Sequence, residues 1–523
     1  MALFSFLNRE NTIAKPAFNR WLVPPAALAI HLCIGQIYAY SVFNKPMTQL
    51  IGITASASND WKLTTLGWIF SIALFMLGAS AALFGKWVER EGPRKAMFVS
   101  ALCFSGGFFI SAMGVRLHQI WLVYLGNGVL GGIGLGLGYI SPVSTLIKWF
   151  PDKPGMATGM AIMGFGGGAM IASPLAVTLM DTFKSPTSTG VASTLLTMGI
   201  LYFCFMMFGV FTVRVPGKDW KPEGWTPNTT MEQNMLTRGY VDADTAIRTP
   251  QFYLLFGILM LNVTAGIGVL GQASVMIQEL FSETSVGEKM AVTVAAAGGF
   301  VGLLSLFNMA GRFFWSSLSD KIGRRKTYTV FFIFGAILYV AIPQFGNAGS
   351  VVFFVICFCM IISMYGGGFA TIPAYLRDLF GTTQVGAIHG RLLLAWSAAA
   401  IIGPVLINYI RDYQIDTLHL PPSQAYSITM YIMAGLLIIG FICNILVKPV
   451  LQKHFILSDP NAAVPGNSNI PVIEMSQPHT INKTAKSTNY SFYTKLLLAW
   501  LFVAIPMIWG ITETLIKSLA LFK

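Results

Sequence analysis

Charge is what this chain has least of. Of its 523 residues, 34 are Lys or Arg and 21 are Asp or Glu, so 11% carry a charge, against about 25% in an ordinary soluble domain. A soluble fold of this size needs a polar skin that so few charged side chains cannot supply, which excludes the soluble, disordered and fibrous classes. Acids are scarcer still where they would matter. No Asp or Glu lies deep in the twelve core apolar runs, so those runs hold no carboxylate that could relay protons. The six cysteines, Cys33, Cys103, Cys204, Cys357, Cys359 and Cys443, all lie in apolar runs, as inert buried thiols do. Cys357-x-Cys359 is too isolated a pair for a metal site. A Gly-Lys-Ser/Thr phosphate loop with its strand is absent, which leaves no ATP site. The clustered His, Asp or Cys that an integral membrane enzyme requires is absent too. The first apolar stretch is too long for a signal peptide and lacks a small-residue cleavage site. No enzyme activity, cofactor or metal is expected.

What the chain has in abundance is apolar sequence: 54% of residues are hydrophobic and 52 are glycine. A spanning helix needs about 20 apolar residues to cross about 30 Å of hydrocarbon. Runs of that kind lie near 21–45, 64–87, 96–115, 119–147, 156–180, 192–213, 251–280, 291–318, 327–345, 350–376, 386–410 and 424–447. They predict helices, because lipid offers free backbone groups no partner, and the short alternating segments of a β-barrel do not occur. Residues 1–20 precede them. Two six-helix bundles, 21–213 and 250–447, are expected, separated by a polar central loop over 214–249. A polar stretch over 448–490 reads as a flexible tail, and 491–523 holds a thirteenth candidate span.

Lys and Arg set the orientation. The N-terminus and every second loop share Arg9, Lys15, Arg20, Lys86, Arg90, Arg94, Lys95, Lys148, Lys153, Lys321, Arg324, Arg325, Lys326 and Arg377, with the basic residues of the central loop and tail. The other side has Lys45, Lys62, Arg116, Lys184, Lys289, Arg411, Lys517 and Lys523. This imbalance predicts a cytoplasmic N-terminus. It also accounts for the net charge of +13 as topology and contact with anionic lipid, so no nucleic-acid partner is implied. The expected setting is a plasma membrane, the inner membrane of a bacterium, and the expected state a monomer.

The two groups of six repeat at an offset of about 230 residues. Glu89-Arg90-Glu91-Gly92-Pro93-Arg94-Lys95 after the second run answers Asp320-Lys321-Ile322-Gly323-Arg324-Arg325-Lys326 after the eighth. Gly138 matches Gly368, Phe150 matches Phe380, and Pro174 matches Pro404. Parallel six-helix repeats place a substrate site between the halves, near the membrane centre.

The acidic–basic–x–Gly–basic loop, present twice, resembles the signature loop of the major facilitator superfamily. The first copy departs from that pattern with Glu89 and Pro93. Within the superfamily the chain is similar to the oxalate/formate antiporter family and its monocarboxylate-carrying relatives. The residues that carry this are Gly35-Gln36-Ile37-Tyr38-Ala39-Tyr40-Ser41, Gly138-Tyr139-Ile140-Ser141-Pro142, Trp149-Phe150-Pro151-Asp152, Asn308-Met309-Ala310-Gly311-Arg312 and Ile388-His389-Gly390-Arg391 through Trp396-Ser397. The resemblance covers about residues 20–447. It implies an all-α integral membrane protein with the twelve-helix major facilitator fold, plus one extra C-terminal helix, working by alternating access.

Arg312 is the foremost candidate for substrate binding. Eight residues of helix separate it from Asp320, about 12 Å, which puts a guanidinium inside the hydrocarbon layer. Such a charge is costly unless it has a function, and its fork fits a carboxylate. Asn308, four residues earlier, shares its helix face. The resemblance assigns this pair to the substrate and adds Tyr139; Tyr38, Gln36, Tyr365 and His389 are further candidates. Trp396 stands where oxalate carriers have a second cation, so one deep cation remains. That departure argues for a monocarboxylate of the lactate, pyruvate or formate class over a dicarboxylate. His389 and His31 are the proton-coupling candidates, as the groups in the core runs that titrate near neutral pH. The resemblance gives the signature-loop residues Glu89, Arg90, Arg94, Asp320, Arg324 and Arg325 the role of holding the cytoplasmic side closed. An oxalate/formate-type exchanger, a non-transporting sensor that signals through the tail, and a sugar or drug carrier are the alternatives.

Overall fold

Lipid leaves the backbone no partner but itself, and each apolar run closes into a helix. The computed structural model describes residues 2–15, 18–217, 220–225, 239–282, 292, 294–421, 424–457 and 490–519. Among them, thirteen helices are long and apolar enough to cross a membrane. The first six are α1 (Arg20–Met47), α2 (Thr65–Glu91), α3 (Pro93–Arg116), α4 (Ile120–Trp149), α5 (Pro154–Phe183) and α6 (Val191–Thr212). The next six are α7 (Pro250–Leu280), α8 (Ala296–Ile322), α9 (Arg324–Asn347), α10 (Val351–Phe380), α11 (Val385–Ile415) and α12 (Ser427–Leu446). The thirteenth is α13 (Tyr493–Ser518).

Local chemistry sets the helix ends. Pro93, Pro154 and Pro250 each occupy the first turn of a helix, where a missing N–H costs nothing. Gly92 and Gly323, equivalent in the repeat, turn the chain between α2 and α3 and between α8 and α9 with φ of 93° and 90°, a conformation open to glycine. Two helices are irregular at informative places. The Gly35–Phe43 part of α1 winds as a 3-10 helix, and α11 is interrupted at Leu393, between Val385–Leu392 and Leu394–Asp412.

The halves meet along two seams, α5 against α8 and α2 against α11. On the side that carries the N-terminus the seams are tightly bonded. Thr158 Oγ1 of α5 donates to the Ala370 carbonyl of α10 at 2.6 Å, and Arg377 to that of Pro151 at 3.1 Å. On the opposite side the halves enclose a cavity of about 550 Å³, whose lining includes Tyr38, Asn44, Ser71, Gln272, Ser305 and Asn308. On the N-terminal side these bonds hold the seams together beneath a recess of about 1100 Å³ whose lining includes Lys148, Trp220 and Gln384, while the cavity that reaches Asn308 lies toward the other side. Helix α13 lies outside the twelve, against α1, α5 and α8.

The tail departs from the expectation of a flexible stretch starting at Lys448. Residues 448–457 are described, and Ile456–Leu457 pairs antiparallel with Gly239–Tyr240 of the central loop. Backbone pairing with a second chain segment, which local polarity does not reveal, orders this part. This two-residue ladder is also an exception to the all-helical expectation. Residues 226–238 of the central loop, 458–489 of the tail, Lys289 and Lys523 lie outside the described residues.

Candidate functional site

Arg312 and Asn308 occupy one face of α8, one turn apart. Both are buried, Arg312 with none of its surface exposed. Arg312 Nε donates to Asn308 Oδ1 at 2.9 Å, and Nη1 to the Ile162 carbonyl of α5 at 3.4 Å. The guanidinium lies over two rings, 5.5 Å from the centre of Phe165 on α5 and 5.3 Å from that of Phe369 on α10. Nη2 has no hydrogen-bond partner among the described residues. None of those residues contributes a buried Asp or Glu, so the cation has no counter-ion. Asp320 is not one: it sits in the last turn of α8, bonded to the start of α5. Cation–π contact offsets part of the desolvation cost at about 0.5–2 kcal/mol per ring, well short of removing a full charge from water.

Glycine makes the room. A Cβ at Gly166 of α5 would meet Arg312 Nε at 3.0 Å, and one at Gly366 of α10 would meet Asn308 Oδ1 at 2.6 Å. Neither Phe165, Phe369 nor these glycines stood out in the sequence. The run Gly164-Phe165-Gly166-Gly167-Gly168, facing an intramembrane arginine across the repeat, was the available signal.

Aromatic residues close the site. The Tyr38 and Tyr365 hydroxyls meet at 3.1 Å, joining α1 to α10 across the halves. Tyr139 of α4 packs against Phe165 at 5.4 Å and Trp396 at 5.5 Å, and Trp396 against Phe369 at 4.4 Å. The Tyr139 hydroxyl and Trp396 Nε1 are buried without partners. Arg312, Asn308, Tyr38, Tyr139, Tyr365 and Trp396 therefore come together. Gln36 is buried with its amide nitrogen unpaired, and no hydrogen bond ties it to Arg312.

The two histidines differ. His31 is placed by main chain: Nδ1 contacts the Ala161 carbonyl and Nε2 that of Tyr139 at 3.2 Å. His389 lies on the far side of Tyr139, ring centres 5.8 Å apart, with both nitrogens buried and unpartnered.

Of the six signature-loop residues, the two acids cross between halves. Asp320 accepts from the Gly155 and Met156 amides in the first turn of α5, both at 2.8 Å. Glu89 accepts from the Gly386 amide in the first turn of α11 at 3.1 Å and from Lys148. The offset of 231 residues between Glu89 and Asp320 also relates Gly155 to Gly386, so the contact itself is duplicated. The arginines stay within their own halves. Arg90 pairs with Glu91, and Arg94 donates to the Phe6, Asn11 and Val213 carbonyls. Arg324 pairs with Asp320 and Asp378, and Arg325 bonds the Ile445 carbonyl. The sequence reading passed over a second bridge. Asp244 of the central loop holds both Lys86 of α2 and Arg391 of α11.

Two six-helix halves with duplicated signature contacts define an architecture, and comparison with known proteins identifies it. The family model described as Major Facilitator Superfamily matches residues 26–404 and 280–522. The chain belongs to the major facilitator superfamily. It is a multi-pass membrane transporter of that superfamily, not an enzyme. Its relatives include an uncharacterised major facilitator transporter of Escherichia coli, YhjX, 25% identical over 73% of this chain and 86% of the relative. The oxalate:formate antiporter of Oxalobacter formigenes is 26% identical over 74% of this chain and 83% of its own length. Apicoplast pyruvate carrier 1 of Toxoplasma gondii is 22% identical over 64% and 68%. Among solved structures, the Escherichia coli fucose:proton symporter superposes with a TM-score of 0.58 at 12% identity, over 82% of this chain and 98% of that one. A superfamily fold of this kind carries many cargoes, so the cargo must be argued from the site.

Proposed function

We propose that this transporter carries small monocarboxylates of the lactate, pyruvate or formate class by alternating access, coupled to protons or to a counter-moving anion. The observation that carries the reading is Arg312: a fully buried guanidinium with a free Nη2 and no acidic partner among the described residues. A carboxylate bound there would supply the missing counter-ion and accept the unused N–H. Asn308, which lines the cavity and holds Arg312, and the unpaired Tyr139 hydroxyl and Trp396 N–H are suited to a 2-hydroxy or 2-oxo oxygen on the same substrate. Relatives named as an oxalate:formate antiporter and a pyruvate carrier point to the same chemical class. The 21–213 and 250–447 bundles would rock about this site, with the N-terminal side cytoplasmic and the cavity facing outward.

An oxalate/formate-type exchange is the second reading, and the oxalate:formate antiporter among the relatives favours it. Against it stands Trp396, which fills the position of the second cation. Counterflow in proteoliposomes across lactate, pyruvate, formate and oxalate, with and without a pH gradient, tests both. Saturable exchange of lactate, pyruvate or formate in preference to oxalate is expected. Saturable transport of neutral sugars alone would remove the carboxylate reading.

A further inference from the structure

His389 has a place in the molecule that its neighbours explain only as a proton site. It is 1% exposed, and neither ring nitrogen has a hydrogen-bond partner. A polar group buried without a partner is costly, so an unpaired imidazole in the seam between two moving halves calls for a role. Its position supplies one. On the cytoplasmic side, one turn away along α11, the Gly386 amide donates to Glu89 and closes the seam. On the other side lies Tyr139, whose hydroxyl is also unpartnered and whose ring borders the Arg312 site through Phe165. His389 is thus between the cytoplasmic closure and the substrate site. Leu393, where α11 is interrupted, separates this segment from the one that bears Trp396.

The groups that face His389 are few. Tyr139 comes from α4. The residues of α2 packed against its segment are Ala81, Gly85 and the acidic Glu89, which meet Gly390, Ala387 and Gly386. His31 has both nitrogens against carbonyl oxygens, contacts that hold its ring beside Tyr139, whereas His389 is the histidine with neither nitrogen engaged.

We propose that His389 is the proton-binding residue of the transport cycle. This rests on the carboxylate reading of the Arg312 site. A proton on His389 and the charge of Arg312 repel each other. A bound carboxylate cancels the second, so substrate and proton favour each other's binding, and the coupling is reciprocal. The proton enters from the outer cavity with the substrate. It passes to cytoplasmic water once the contact between Glu89 and Gly386 opens beside the imidazole.

The test uses the full chain in proteoliposomes, with wild type, His389→Gln and His389→Asn. Wild type is expected to accumulate the carboxylate up to about tenfold per unit of inward pH gradient, the limit for one proton per anion. It should also take up about one proton per substrate bound, followed with a pH indicator in weakly buffered detergent solution. In both variants gradient-driven accumulation and proton uptake should vanish, while counterflow exchange falls by less than about threefold. Accumulation retained in either variant overturns the proposal. So does equal loss of exchange and accumulation in monodisperse, folded variants, because His389 would then be a substrate contact. Wild-type accumulation indifferent to the pH gradient overturns it as well, and leaves the carboxylate reading standing. Wild type that exchanges none of lactate, pyruvate, formate and oxalate removes that reading, and this proposal with it.

Discussion

A single arginine carries the residue-scale argument. A guanidinium that lies inside hydrocarbon, bonded to one amide and one carbonyl, is stabilised by geometry as much as by charge. Arg312→Lys keeps the charge but loses the fork, the planar contact with Phe165 and Phe369, and the bond to Asn308. Uptake by this variant is expected to fall by at least about 100-fold, the loss of two charge-assisted hydrogen bonds at about 1.5–3 kcal/mol each. Uptake at wild-type rate in proteoliposomes would remove Arg312 from the binding role. Gly166 offers a milder perturbation. Its added Cβ would press on Arg312 Nε and Cδ from 3.0 and 3.1 Å. Gly166→Ala should raise the half-saturating substrate concentration severalfold and lower Tm, since Arg312 can yield but Met309 Cα, 3.2 Å from the added carbon, is backbone. The depth of Arg312 and the spacing of Asn308 could be read along the chain, because both follow from helical rise and period. The rings beneath the guanidinium could not, because aromatics make up 13% of the sequence and nothing local marks Phe165 and Phe369 among them.

At the scale of elements, the closed N-terminal side is held by two acids at two helix starts. Each accepts from backbone N–H groups in a first turn, where the helix end carries partial positive charge worth about 0.3–2 kcal/mol to an anion. Asp320 also bonds Arg324, and Glu89 also bonds Lys148. Asp320→Asn and Glu89→Gln keep the shape and remove the charge. Both are expected to shift the protein toward opening on the N-terminal side. The check is a cysteine at Ser144, which borders Gly386 behind the Glu89 contact, in a background free of other cysteines. An impermeant maleimide added from that side should label it severalfold faster in Glu89→Gln. Unchanged labelling would show that Glu89 does not hold the closure. The signature loops were visible as a repeated pattern. That the acids reach the other half while the arginines bind their own was not, because sequence order says nothing about which helix start faces which carboxylate.

For the whole molecule, the central loop is more than a tether. Asp244 accepts from Lys86 of the first half and from Arg391 of the second. The hydrogen bond from Lys86 foremost, then that from Arg391, holds its carboxyl at about 2, below the usual 3.8. A carboxyl whose folded-state value is depressed contributes stability above its unfolded value and loses it as pH falls toward the folded one. The advantage of wild type over Asp244→Asn in Tm should therefore hold at neutral pH and shrink as pH drops from about 4 to about 2. The residue is exposed, so the difference will be small and reduced by salt. A difference that widens on acidification would contradict the bridge. Helix α13 is the other whole-molecule element. Its Trp500 donates to the Trp21 carbonyl, and its Phe502 stacks on Phe205 at 4.4 Å. At its other end Gly299 and Gly302 of α8 pack closely on Lys517, Ser518 and Thr514, so it touches both halves.

Read along the chain alone, the residues place this protein in lipid, mark where its helices fall, show that it is built twice and single out one buried cation. These follow from hydropathy, period and repetition, each written along the chain at short range or at one constant offset. Tertiary structure alone decided the rest: the rings and glycines that seat Arg312, the carbonyls that occupy His31 and leave His389 free, and the crossing of Glu89 and Asp320. Those contacts join helices far apart in sequence, and in a membrane it is close approach between helices, rather than exclusion from water, that selects them.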